Sequence, residues 1–284
     1  MTKCQSGRLG KQIAGTMGCV VVVILVTLII LFPFYWMIVT SFKSESEIYM
    51  TPPSLFPQYI TAENYEFALF KTSIPIYFLN SIFYAVCTLL VVLIFASLAA
   101  YSMSRFYFRG KRGFLIFVLL SQLMPLTTLI VPLYVSFGQF GLINSRIGLI
   151  AIYVAIQTPI ALWLLIGYFN SIPKEIDEAA RIDGCSNFGI LYKIILPLAK
   201  PGIMAVSLSV VIAIWQELML AMTFTNVDSL RPLMAGVSAA VTKSGVKWGQ
   251  INATGIITCI PIILLYCFCQ KYLIKGLTGG AVKG

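Results

Sequence analysis

Few side chains in this chain could do chemistry, and those present point away from making or breaking bonds. Histidine is absent, which removes His-based triads, imidazole metal ligands and imidazole proton relays. Cys4, Cys19, Cys87, Cys185, Cys259, Cys267 and Cys269 lie mostly in apolar runs. The one residue between Cys267 and Cys269 is neither a zinc-ribbon nor a redox spacing. The cysteines read as small apolar fillers. Gly279-Gly280 lacks the strand and the Gly-Lys-Ser/Thr context of a phosphate loop. No catalytic constellation is left. What remains is Glu217, inside an apolar stretch, and Gln122 and Gln157 inside two others. A carboxylate at membrane depth is costly unless paired or hydrated, which makes it a functional candidate by default. Two readings of Glu217 stand: a structural hydrogen bond to a neighbouring helix, or a part in shaping a closed cavity or its gate. Gln122 clusters with Pro125, Thr127, Thr128 and Pro132, and Gln157 with Thr158 and Pro159. Each proline frees a carbonyl and can kink a helix. These patches fit the lining of a polar pathway and plain interhelical packing equally well.

A second constellation lies in the polar segment 171–202. Ser171 and Pro173 make a helix start, and Glu175, Asp177 and Glu178 suit the positive end of its dipole. Ile176, Ala179, Ala180 and Asp183 fall at i, i+3, i+4 and i+7 and share one face. A face with two alanines lets another surface approach the backbone closely. Gly184 can take the left-handed conformation that ends the helix. Ser186 or Asn187 can cap a second short helix over 188–195, which Pro197 and Pro201 stop. The expectation is a helix–turn–helix elbow whose first helix is short, amphipathic and fit for a partner's groove. On physics alone, an ordinary charged connection is as good a reading.

The elements that position these residues follow from hydropathy. Of the 284 residues 59% are hydrophobic and 11% charged, with a mean hydropathy of +0.91, against about 25% charged in a soluble domain. Six stretches, near 13–40, 79–103, 114–137, 147–169, 203–224 and 254–274, approach the roughly 20 residues that cross a hydrocarbon core. The first is too long for a signal-peptide core and is followed by Phe32-Pro33-Phe34-Tyr35-Trp36 rather than a cleavage site, so it reads as a retained span. With the N-terminus in the cytoplasm, fourteen of the 20 basic residues and only four of the 10 acidic ones fall inside. The whole net charge of +10 then sits on one side, which favours two cytoplasmic termini in a plasma or inner membrane. Basic clusters set between apolar runs indicate membrane lipid, not nucleic acid, as the charged partner. The reading is all-α: a polytopic bundle of six transmembrane helices in a single domain, 1–284.

The segment also carries a pattern. Glu178-Ala179-Ala180, then Asp183-Gly184, then Ile194 and Leu196-Pro197 resembles the EAA motif of ATP-binding-cassette importer permeases. Phe32-Pro33-Phe34-Tyr35-Trp36 with Thr40-Ser41-Phe42-Lys43 is similar to the first span of the carbohydrate branch of that family. So are Asn64-Tyr65, Asn80-Ser81, Ala99-Ala100-Tyr101 with Arg105-Phe106, and Trp215-Gln216-Glu217, where Gln stands for the family's Asn. The tail, Gln270-Lys271-Tyr272 through Gly276-Leu277-Thr278 to Gly280-Ala281-Val282-Lys283-Gly284, resembles the maltose-permease G-subunit type.

The resemblance implies a type I importer permease whose loop is a coupling helix entering a cleft on a nucleotide-binding subunit. The coupling residues it implies are Glu175, Glu178, Ala179, Ala180, Asp183, Gly184, Leu196 and Pro197. Lys283 would reach the ATPase interface. The implied partners are a second, F-like permease, two ATPase subunits that bind ATP and Mg, and an extracytoplasmic sugar-binding protein. No cofactor is expected in this chain. The cargo would be a sugar, most simply an oligosaccharide, moved by alternating access. A stand-alone secondary transporter is the alternative, but it would need intramembrane charge for ion coupling, and only Glu217 offers it.

Overall fold

The structure is a computed structural model that describes the backbone of residues 3–244 and 247–281 and the side chains of residues 16–239 and 247–270. Lys283 lies outside the described residues. The described chain is helical, with α1 (Lys3–Ser41), α2 (Glu45–Ile48), α3 (Glu63–Phe70), α4 (Ile74–Arg105), α5 (Lys111–Leu123), α6 (Leu126–Gln139), α7 (Arg146–Asn170), α8 (Glu175–Ile182), α9 (Asn187–Ile190), α10 (Leu196–Leu198), α11 (Lys200–Trp215), α12 (Met219–Phe224), α13 (Leu233–Ser244) and α14 (Trp248–Ala281). A π-helical turn, Leu191–Ile195, joins α9 to α10. Four helical segments are long and apolar enough to cross a membrane unbroken: Thr16–Ser41, Ile74–Arg105, Arg146–Asn170 and Trp248–Gln270. Two bent pairs, α5 with α6 at 96° and Asn187–Leu198 with α11 at 79°, bring the number to as many as six if each pair counts as one span.

Two expected spans are therefore not single helices. The stretch 114–137 breaks at Met124-Pro125, where Pro125 (φ −62°, ψ 125°) has no N–H to continue the helix and holds Met124 extended. The stretch 203–224 ends its first helix at Trp215 and resumes at Met219. Pro197 does not stop the elbow's second arm either. It sits directly after the π-helical turn, at the start of α10, and the arm runs on to Leu198.

The chain forms two compact units. One comprises residues 1–72 with 244–257, the other 73–243 with 258–284. In the first, α1 buries none of its apolar window. The 42–65 segment beyond it is organised by polar side chains. Asn64 donates to the carbonyls of Ser41 (3.0 Å) and Lys43 (2.9 Å), and Ser41 and Tyr65 share a hydroxyl contact of 2.8 Å. Lys43 is buried, bonded to the Ser54 carbonyl and placed over the Trp36 ring. Glu47 accepts from Ser54 (2.7 Å) and from the Gln58 amide (2.8 Å). This polar knot gives the Asn64-Tyr65 pair its physical meaning.

The second unit has a core of α4, α7 and α11. Along α4 the buried residues Tyr77, Asn80, Ser81, Tyr84, Ala85, Thr88, Val92, Ala96, Ala100 and Ser104 recur at helical spacing. Alanines on this stripe let α7 approach, as small residues do between membrane helices. Gly202 does the same for α11, because a Cβ there would enter the Tyr168 ring.

Candidate functional site

The elbow forms as two arms. Asp177 and Glu178 amides donate to the Lys174 carbonyl (2.9 and 3.1 Å) and start α8 at Glu175. Its far end is a left-handed stop: Gly184 has φ +82°, its N–H reaches the Arg181 carbonyl (3.0 Å), and Cys185 N–H reaches that of Ala180 (2.9 Å). Ser186 then caps α9, its Oγ accepting from the Gly189 amide at 3.2 Å.

The faces of α8 divide differently from the sequence expectation. Ile176, Ala179 and Asp183 are exposed, as are Glu175, Glu178 and Gly184, but Ala180 turns inward with Asp177. Leu196 is half-buried and Pro197 exposed on the second arm. The exposed surface is more apolar than anticipated: Ile182 is 86% exposed, Phe188 66% and Tyr192 68%. Large apolar side chains thus stand among charged ones on the exposed face of the elbow.

Asp177 carries the largest correction. Its side chain complements the dipole only in passing; it is buried at 4% exposure in an ion pair with Arg105, itself 2% exposed. Arg105 also donates to the Ile172 carbonyl (3.1 Å) and to Ser104 Oγ (3.3 Å), and Ser104 donates to Asn170 Oδ1 at 2.7 Å. The Arg181 guanidinium lies 6.0 Å over Phe106, whose ring meets Tyr101 edge-on. The end of α4, visible in sequence as Tyr101…Arg105-Phe106, thus grips α8 from a distant part of the chain.

Glu217 falls in the break after α11. Its carboxylate accepts from the Leu220 amide (2.7 Å), the Ala221 amide (2.9 Å) and the Tyr153 hydroxyl of α7 (3.0 Å). From one position before the N-cap residue, Leu218, its side chain satisfies two amides of the first turn of α12, and it also makes the helix-to-helix hydrogen bond that is one of its two readings. Trp215 is fixed beside it by a bond to the Thr258 carbonyl (3.2 Å) and an edge contact with Phe78. Gln157 is half-buried one turn beyond Tyr153, and Gln122 is exposed on α5. Among the described residues no hydrogen bond joins either to Glu217. Tyr153 was missed in sequence because a tyrosine in an apolar span carries no periodic signal.

At the opposite end of α4, Asn80 Nδ2 donates to the carbonyls of Ser229 (2.9 Å) and Arg231 (3.0 Å), and Tyr84 Oη to that of Leu230 (2.9 Å). Ser81 Oγ accepts from the Leu233 amide at 2.7 Å, and Arg146 reaches Asn80 Oδ1 at 3.4 Å. This clamp is what the Asn80-Ser81 pair does.

Broken spans around a packed helical core, with a structured elbow between them, define a multi-pass helical membrane component. The chain belongs to the family described as binding-protein-dependent transport system inner membrane component, which it matches over residues 92–279. It is 38% identical over 264 residues to the trehalose/maltose transport system permease protein MalG of Thermococcus litoralis, covering 92% of this chain and 94% of that one. It is 31% identical to the diacetylchitobiose uptake system permease protein DasC of Streptomyces coelicolor, over 90% of this chain and 92% of the other. The fold matches a bacterial ABC transporter involved in the import of the acidic polysaccharide alginate, with a TM-score of 0.83, 25% identity and coverage of 93% and 98%. The chain is an inner-membrane permease of an ABC importer.

Proposed function

We propose that this permease carries a sugar, an oligosaccharide in the simplest case, across the inner membrane by alternating access, and that α8 is the lever through which a separate ATPase drives it. The observation that carries the reading is the elbow: a short helix with an exposed apolar and small-residue surface, held rigidly by a capped turn and a buried ion pair. The trehalose/maltose and diacetylchitobiose transport named for its relatives supports the sugar class. The full assembly would contain a second, F-like permease, two ATPase subunits binding ATP and Mg, and an extracytoplasmic sugar-binding protein, with both termini of this chain in the cytoplasm. Glu175, Glu178, Ala179, Asp183 and Gly184 would meet the ATPase directly, while Ala180 would set how close α8 lies to its own chain. Gln122 and Gln157 stay candidates for the pathway, and Glu217 for shaping it by holding α12.

Co-purification tests the lever. The ATPase should follow the wild-type permease and be lost with Gly184→Asp or Glu178→Lys while the second permease is retained. Retention of the whole complex by both variants overturns the docking role. Uptake of radiolabelled trehalose, maltose and diacetylchitobiose by cells with and without the gene tests the cargo. No gene-dependent uptake of any of the three removes these sugars as cargo.

A further inference from the structure

The elements that flank α8 in sequence are poorly suited to move it as rigid levers. Pro159 lies inside α7, and α11 meets the preceding segment at 79°. The helix best built for the task is not adjacent to α8 at all. Helix α4 has 32 residues, about 48 Å at 1.5 Å per residue, and has neither glycine nor an interior proline. Among the described residues, the other three unbroken spans, in α1, α7 and α14, contain Pro33, Pro159 and Pro261.

Both ends of α4 are fastened to something that is not its chain neighbour. At one end Arg105 grips Asp177 of α8 and the Ile172 carbonyl that precedes it, with Phe106 under Arg181. At the other, Asn80, Ser81 and Tyr84 make four hydrogen bonds to backbone groups of residues 229–233, the end of the loop after α12 and the first residue of α13. All four meet backbone atoms of that segment, three carbonyls and one amide, so they register its path and not its side chains.

We propose that α4 is a transmission rod that couples the position of α8 to the conformation of the 225–233 loop on the opposite membrane face. Arg105, Asp177, Asn80, Ser81 and Tyr84 are its positioning residues. A displacement of α8 is passed to Arg105, carried along an unbroken helix, and delivered to the loop through the four clamp hydrogen bonds. By reciprocity, a change imposed on the loop biases α8 by the same free energy. The inference rests on the reading of α8 as the ATPase-docking lever.

The test is amide hydrogen exchange on the purified importer complex, with and without the non-hydrolysable ATP analogue adenylyl-imidodiphosphate. In wild type the analogue should change exchange both in α8 and across residues 226–231. Two variants cut the rod at different places: Arg105→Met with Asp177→Leu at one end, and Ile94→Gly at a position 59% exposed in the middle. Each should keep the α8 response and reduce the loop response about fivefold or more, the lower end of ordinary allosteric coupling. Tyr84→Phe, which keeps the ring and removes one clamp bond, should give a smaller loss of the same kind. A loop response of wild-type size in both rod variants overturns the proposal. So does a wild-type complex in which α8 responds and the loop does not. A wild-type complex in which α8 itself is unresponsive overturns the docking reading, and the coupling falls with it.

Discussion

The pair Arg105–Asp177 allows a prediction with a sign that depends on which partner is removed. Both side chains are almost wholly excluded from solvent. Removing one member of a buried pair leaves a charge without compensation and costs about 3–5 kcal/mol, whereas replacing both with apolar side chains of similar size is close to neutral or stabilising. The two single changes are not equivalent here. After Asp177→Leu, the guanidinium keeps the Ile172 carbonyl and Ser104 Oγ as acceptors. After Arg105→Met, Asp177 keeps no side-chain hydrogen bond. Arg105→Met should therefore reach the upper part of that range and Asp177→Leu the lower, with the double variant within about 1 kcal/mol of wild type. At about 1.4 kcal/mol per tenfold, Arg105→Met would raise opening of the elbow by roughly three powers of ten. Limited proteolysis at Lys174 and Arg181 in the detergent-purified complex reads that opening directly. Equal loss from the two singles, or a double variant as labile as their sum, would refute the electrostatic argument and leave packing as the cause.

Three further outcomes follow from other sites. Glu217→Ala strands two amides and a hydroxyl, each worth about 1–3 kcal/mol when orphaned in a buried place; it should lower the melting temperature of the complex strongly, Tyr153→Phe only mildly, and a melt unchanged by Glu217→Ala would refute the capping role. Gly202→Ala drives a methyl into the Tyr168 ring; assembly should fail and be rescued in part by Tyr168→Ala, and normal assembly of the single variant would count against the packing. Glu47 is held below the usual carboxylate value of 4.5, first by the Gln58 amide and then by Ser54 and the charge of Lys43, against a desolvation that raises it. A depressed native value means its contribution is present above that usual value and is lost as pH falls through the native one. Amide protection across 43–58 should accordingly be flat at neutral pH, fall only below about pH 4.5, and become insensitive to acid in Glu47→Gln.

Much of the architecture was legible because lipid imposes simple rules on sequence. Lengths of apolar runs located the spans, and Gly184 and Ser186 announced the elbow through backbone chemistry that acts locally. What hydropathy could not reveal was continuity. A run such as 114–137 averages to the same value whether or not Pro125 turns the chain by 96°, and nothing apolar marks the gap at 216–218. Long-range partners were equally hidden. Asp177 looked like an ordinary first-turn acid because Arg105 stands 72 positions away, and the face assignment of Ala180 went wrong with it. Ile182, Phe188 and Tyr192 lay outside the expected stripe, so their exposure needed the fold. The pairs Asn64-Tyr65 and Asn80-Ser81 were visible as patterns, but what they hold became readable only when the carbonyls they bind were placed.

The uneven continuity of the helices also bears on how the protein is made. A helix such as α1 satisfies its backbone internally and covers itself with apolar side chains on every side from Met17 to Leu31, so it is complete in lipid as soon as it leaves the insertion machinery. The segments with breaks are not. The break before α12 leaves the first amides of that helix without acceptors in the preceding turn, and those of Leu220 and Ala221 are satisfied by Glu217 and, through it, by Tyr153 of a helix synthesised earlier. Insertion of the second half of the chain is thus expected to wait on the first. Translation order would then serve as an assembly order, with α7 in place before α12 leaves the aqueous channel.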